Sequence, residues 1–249
     1  MQVAEKREAL PGVRLERGMT SAPWGRVLVA ATLMVVAAAL ALVVFYAPND
    51  RVQGVVQRIF YFHVPMAWVA YLAFAVVAVA SVAYLWRRDL RWDALARASA
   101  EIGVLFTTLV LVTGSLWAKP IWNTWWTWDA RLTSTLVLWF IYVGYIMLRA
   151  YTPDPDRAAR FGAVLGIVGF LDIPIIHFSV QWWRTLHPEA VVARADPQAP
   201  AAMIATLLVS LAAMTLVYAT LLLYRTMLER TRDETRELQH ALPGESTYA

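Results

Sequence analysis

Residues 64–86 read VPMAWVAYLAFAVVAVASVAYLW, 23 positions without one charged side chain. At a rise of about 1.5 Å per residue, a helix of that length crosses the roughly 30 Å hydrocarbon core of a bilayer. Five more runs of the same character occupy 27–47, 102–117, 132–148, 161–178 and 201–224. Together they account for a composition that is 59% hydrophobic and only 16% charged, with a mean hydropathy of +0.51. A water-soluble domain carries more charge than this, so the excess apolar surface needs lipid. The expected fold is all-α, a polytopic membrane protein of six transmembrane helices with no separate soluble domain. The run at 27–47 exceeds a signal-peptide core, and Phe45-Tyr46-Ala47 makes a poor cleavage site, so it is read as an anchor.

The charges give the topology. Of the 22 Lys and Arg residues, 16 fall in the N-terminal tail, the second and fourth connections and the C-terminal tail. The positive-inside rule therefore places both termini in the cytoplasm and the first, third and fifth connections outside. The pI near 9.5 is a topology signal, and nucleic acid is not an expected partner. The expected division is a tail over 1–25, poorly ordered, a six-span body over 26–225, and a tail over 226–249 that continues the last span as a solvated helix. With no cysteine, disulfides, thiolate metal sites and covalent haem attachment through C-x-x-C-H are excluded. No P-loop and no evident nucleophile is present, which argues against an enzyme.

The outer connections carry the unusual chemistry. In the first, Val52, Val55, Val56, Ile59, Phe60 and His63 recur at helical spacing. This predicts an amphipathic helix lying in the outer interface, ended by His63, with Pro65 opening the next span. The third connection, 117–131, holds five of the twelve tryptophans: Trp117, Trp122, Trp125, Trp126 and Trp128. Trp122, Trp125, Trp126 and Asp129 stand at i, i+3, i+4 and i+7, so a helix starting after Pro120 would present three indoles and a carboxylate on one stripe. The fifth connection adds Trp182, Trp183, His177 and His187. An interfacial aromatic belt would scatter its tryptophans over both sides; this crowding favours a platform for a flat apolar ligand. Zinc would want four protein donors, whereas haem iron needs only axial imidazoles and an apolar surround. Lys119, Arg131 and Arg184 are suited to its propionates. Asp129 either orients a ligating histidine or caps and positions the tryptophan helix, the second being favoured. Asp172, beside Pro174, reads as hydrogen-bonded to a neighbouring hydroxyl or freed backbone, and Gly162, Gly166 and Gly169 read as packing contacts.

The string Trp122-Asn123-Thr124-Trp125-Trp126-Thr127-Trp128-Asp129 resembles the tryptophan-rich signature of the haem-handling proteins. Phe62-His63-Val64-Pro65 and the stretch from His177 to His187 are similar to the cytochrome c maturation protein C family, also called haem exporter protein C. The likeness covers about residues 26–225; where the family usually has Gly after the first tryptophan, Asn123 stands here. The resemblance implies non-covalent haem b on a periplasmic platform at the cell inner membrane, built from Trp117, Trp122, Trp125, Trp126, Trp128, Asp129, Arg131, Trp182, Trp183 and Arg184. It implies His63 and His187 as axial iron ligands, with His177 the competitor for the second place. It further implies presentation of haem to a periplasmic chaperone, cytochrome c maturation protein E, alongside the ATP-binding transporter subunits and small single-span subunit, cytochrome c maturation proteins A, B and D. The alternatives are a haem lyase-like enzyme acting on apocytochrome and a haem transporter proper.

Overall fold

A computed structural model describes residues 23–183 and 199–241. Among these residues every element longer than a turn is helical: α1 (Pro23–Ala41), α2 (Phe60–Arg87), α3 (Leu90–Trp122), α4 (Ala130–Tyr151), α5 (Pro155–Phe170), α6 (Asp172–Trp182) and α7 (Ala201–Ala241). A π-turn, Leu42–Tyr46, extends α1, and a 3-10 turn, Val55–Ile59, leads into α2. Among the described residues, six helical stretches are long and apolar enough to cross a membrane, with α5 and α6 making up one of them. Alternating up and down, they bring the α1–α2 and α3–α4 junctions, the end of α6 and the start of α7 to one end of the bundle, called here the tryptophan end. The α2–α3 and α4–α5 junctions and the far half of α7 mark the arginine end.

The connections are short because polar caps close them. Asp89 accepts from the Arg91 N–H at 2.9 Å and starts α3 two residues after α2 stops at Arg88, which adopts a left-handed φ of 57°. Asp154 caps α5 through the N–H groups of Asp156 and Arg157, with Pro155 following it. The fifth span is broken at Leu171. Pro174 has no N–H for the Phe170 carbonyl, the last residue of α5, so the helix restarts as α6.

The centre of the bundle is aromatic. Phe74 of α2 stacks on Tyr142 of α4 with ring centroids 3.7 Å apart, among Val77, Leu138, Tyr145 and Ile176. Gly103 makes this possible, since a Cβ there would run into the Phe74 ring. Gly162, Gly166 and Gly169 likewise let α5 lie against Arg149, Val77, Ser81, Tyr142 and Tyr145, the packing role expected of them. At the arginine end a chain of ion pairs crosses α3, α4 and α7. Arg149 grips Asp93, Arg97 bridges Asp93 and Glu229, and Arg225 bridges Glu229 and Glu101. α7 runs on as helix to Ala241, past residue 225.

Three local expectations fail. The first connection is not a helix lying flat in the interface. Asp50 Oδ1 accepts from the Val52 and Gln53 N–H groups at 2.8 Å, and Gly54 takes a left-handed φ of 58°. That tight turn sends the chain straight into α2, leaving Val52 and Val55 exposed while Tyr61 packs with Val43, Ala47, Met203 and Leu207. Pro65 does not open a span either, being the sixth residue of α2. Nor does a new helix begin after Pro120: α3 runs through it to Trp122.

Candidate functional site

α3 stops at Asn123, which takes the left-handed conformation at φ 54°. That region costs most L-residues energy, and Gly or Asn are its usual occupants, so the Asn123 departure leaves the turn intact. Residues 124–129 are irregular, and Asp129 begins α4 by accepting from the Arg131 and Leu132 N–H groups at 3.0 and 3.1 Å. Trp122, Trp125, Trp126 and Asp129 therefore share no helical stripe. Of its two readings, Asp129 takes the capping one, but for α4 rather than for a tryptophan helix. Its other oxygen accepts from the Thr127 hydroxyl at 2.8 Å.

His63 lies four residues into α2 and is buried, at 8% exposure. Its Nδ1 stands 3.0 Å from the Thr113 hydroxyl oxygen, and the Trp117 ring meets its ring edge-on at 5.8 Å. The Trp117 indole N–H donates to Gln53 Oε1 at 3.0 Å, tying α3 to the turn before α2. The other tryptophans go elsewhere. Trp126 and Trp128 meet edge-on at 5.6 Å and line an open, almost wholly apolar groove of about 510 Å³ with Leu111, Val112, Ser115, Leu116 and Leu136. At about 3.6 residues per turn, those α3 residues stand on the side opposite Thr113, Gly114 and Trp117. His63 and the groove thus share the tryptophan end but are separated by α3. Trp128 is 76% and Trp125 56% exposed, and the Trp126 indole nitrogen is buried without a hydrogen-bond partner.

The basic residues are partly committed. Lys119 Nζ donates to Asn123 Oδ1 at 3.0 Å and stands 5.9 Å over the Trp125 ring. Arg131 donates to the His177 carbonyl at 3.2 Å, joining α4 to α6. His177 is exposed and meets Phe178 edge-on; Phe178 in turn stacks with Trp182, which meets Trp183. His187 and Arg184 lie outside the described residues. Asp172 departs from its expected reading, because its Oδ2 is buried at the α5–α6 break with no hydrogen-bond partner. Sequence reasoning also missed Thr113, Gly114 and Gln53, which hold His63 and Trp117. Only their place in the α2–α3 contact marks them, and no motif could have done so.

A six-span helical protein with a histidine-bearing, tryptophan-rich end resembles the haem-handling membrane proteins, and comparison with known sequences shows the family. The family described as Heme exporter protein C matches residues 14–241. Heme exporter protein C of Bradyrhizobium diazoefficiens is 43% identical over 219 residues, covering 87% of this chain and 81% of that protein. That of Escherichia coli K12 is 48% identical over 143 residues, 57% of this chain and 58% of that protein. A putative cytochrome c biosynthesis ccmC-like mitochondrial protein of Arabidopsis thaliana is 33% identical over 232 residues, 91% of this chain and 88% of that protein. The chain belongs to the Heme exporter protein C family. It is accordingly a multi-pass membrane protein of haem handling in cytochrome c biogenesis, and not an enzyme.

Proposed function

We propose that the chain holds haem non-covalently, as haem b, at the tryptophan end and presents it to a periplasmic haem chaperone, cytochrome c maturation protein E. His63 and His187 are the axial ligands in this reading. Lys119, Arg131 and Arg184 face the propionates, and the indoles supply the apolar bed. The observation that carries it is the holding of His63: a buried imidazole engaged through Nδ1 and edged by Trp117, at the end of the bundle where the remaining indoles gather. The donor set suits haem, because an imidazole held through Nδ1 with an indole edging it can serve a porphyrin iron, while no group of three metal-ligating side chains gathers among the described residues. Bound haem would supply the iron that the imidazoles ligate; the chain's part is to orient those rings and keep water from the macrocycle's face. With His63 buried, a disc reaching its ring has to displace what covers it, which suits a cargo that is taken up and passed on.

The bias of Lys and Arg toward the arginine end supports cytoplasmic termini and a periplasmic tryptophan end in the inner membrane. ATP-binding subunits and a small single-span subunit, cytochrome c maturation proteins A, B and D, complete the assembly in this reading. The test is an optical spectrum of the purified, haem-loaded protein beside His63→Ala, His187→Ala and His177→Ala. The first two are expected to lose or shift the haem bands and the third to keep them. Four equal spectra reject the ligand assignment, and loss in His177→Ala but not His187→Ala transfers the second ligand to His177.

A further inference from the structure

We infer that Thr113 sets the tautomer of His63 and thereby selects Nε2 as the nitrogen that meets the haem iron. The inference rests on the reading of His63 as an axial ligand and adds a positioning residue to it. A hydroxyl has one proton to give. That of Thr113 is directed at the Leu109 carbonyl, one turn back along α3, at 2.7 Å, with the Val110 carbonyl farther away at 3.3 Å. Toward His63 the Thr113 oxygen therefore offers only lone pairs, so across the 3.0 Å contact Nδ1–H is the donor. A neutral imidazole protonated at Nδ1 carries its lone pair on Nε2. An imidazole protonated at Nε2 could ligate iron only through Nδ1, the nitrogen that faces Thr113. A hydrogen bond from the distal N–H also makes the ligating nitrogen more basic and holds the ring plane.

The neighbouring residues of α3 fit this role. A Cβ at Gly114 would stand 3.1 Å from His63 Cε1, closer than ordinary contact, so the bare glycine lets the imidazole lie against the helix within reach of Thr113. Trp117, one turn on, meets the imidazole edge-on at 5.8 Å and is itself held by Gln53. Thr113, Gly114 and Trp117 form a holder on one face of α3. It acts through His63 and need not touch the ligand.

The experiment compares wild type with Thr113→Val, which keeps the shape and removes the acceptor, Thr113→Ser, which keeps the hydroxyl, and His63→Ala, all as the full chain in detergent. Histidine 15N spectra of the haem-free protein should show His63 protonated at Nδ1 in wild type and Thr113→Ser, and a changed tautomer balance in Thr113→Val. Titration with ferric haem should give about 10–100-fold weaker binding in Thr113→Val, the range found for partners of metal-bound histidines. It should also give a higher haem reduction potential, with both restored in Thr113→Ser. If Thr113→Val does not fold, Thr113→Ala replaces it with the same expected results. If His63→Ala keeps the haem bands, the ligand reading fails. If His63→Ala loses them while Thr113→Val matches wild type in tautomer, affinity and potential, or Thr113→Ser fails to restore them, the Thr113 assignment is overturned and the ligand reading stands.

Discussion

Replacing Asp93 with Asn should loosen the arginine end by an amount the geometry permits to be estimated. Asp93 lies in the first turn of α3, and each of its oxygens accepts from a different Arg149 nitrogen, Oδ1 at 2.7 Å and Oδ2 at 2.6 Å. Arg97 approaches the same Oδ2 at 3.4 Å. The Asp93 and Arg149 side chains keep only 5% and 10% of their exposure, so water does little of the screening. Two unit charges about 4 Å apart attract by roughly 4 kcal/mol at an effective dielectric near 20, and removing one partner of a buried pair costs about 3–5 kcal/mol. Asn keeps one acceptor, and a hydrogen bond to a charged group returns about 1.5–3 kcal/mol. The expected loss is therefore about 1.5–2 kcal/mol for Asp93→Asn and about 3–5 kcal/mol for Asp93→Leu, which returns nothing. Pairing Asp93→Leu with Arg149→Met removes the stranded charge and should recover most of the loss. The assay is equilibrium unfolding in mixed micelles titrated with SDS, read by far-UV circular dichroism. A change within about 0.5 kcal/mol for Asp93→Asn, the usual range for surface substitutions, would refute the reasoning. So would a double variant as unstable as the sum of its parts.

Gly103→Ala should destabilise the chain by about 1–3 kcal/mol by overpacking, although Ala is the better helix former. Its Cβ would come within 2.9 Å of three Phe74 ring atoms, in the ring that stacks on Tyr142. A raised Tm in the same detergent would show that the stack can yield. Trp117→Ala should weaken haem binding on the order of ten-fold, the equivalent of an aromatic contact of about 1.4 kcal/mol. Trp128→Ala should weaken it less, because Trp128 faces the groove across α3 from His63. A haem titration showing the reverse order would move the macrocycle into the α3–α4 groove.

What could be read from the sequence follows from how each feature is encoded. Six apolar runs are a bulk property, and the helices arose where hydropathy placed them, lengthened at their ends: the run at 102–117 became the 33-residue α3. The glycine contacts of α5 were visible because small residues at helical spacing have few other uses in lipid. The tryptophan stripe failed because its period was counted across a helix boundary. Two signals of that boundary were present, Asn123 as a left-handed stop and Asp129 ahead of Ala130 as an N-cap. The stripe over residues 52–63 failed for a related reason, since Asp50 and Gly54 form a turn and the apolar positions belong to two different elements. Periodicity establishes a face only inside one unbroken helix.

The grip on His63 could not be read in this way at all, because its parts come from two helices and a turn: His63 from α2, Thr113 and Trp117 from α3, Gln53 from the loop. None of these side chains forms a pattern with its sequence neighbours. Packing of α2 against α3 brings them together, and that packing depends in turn on the aromatic stack at Gly103 and on the turn at Gly54. A substitution far down the bundle that shifts α3 along α2 should therefore reach the imidazole without touching it. Sites assembled across a helix–helix contact inherit their precision from the contact, and here the Phe74 ring seated against Gly103 is the close approach of α2 to α3 on which the meeting of Thr113 and Nδ1 depends.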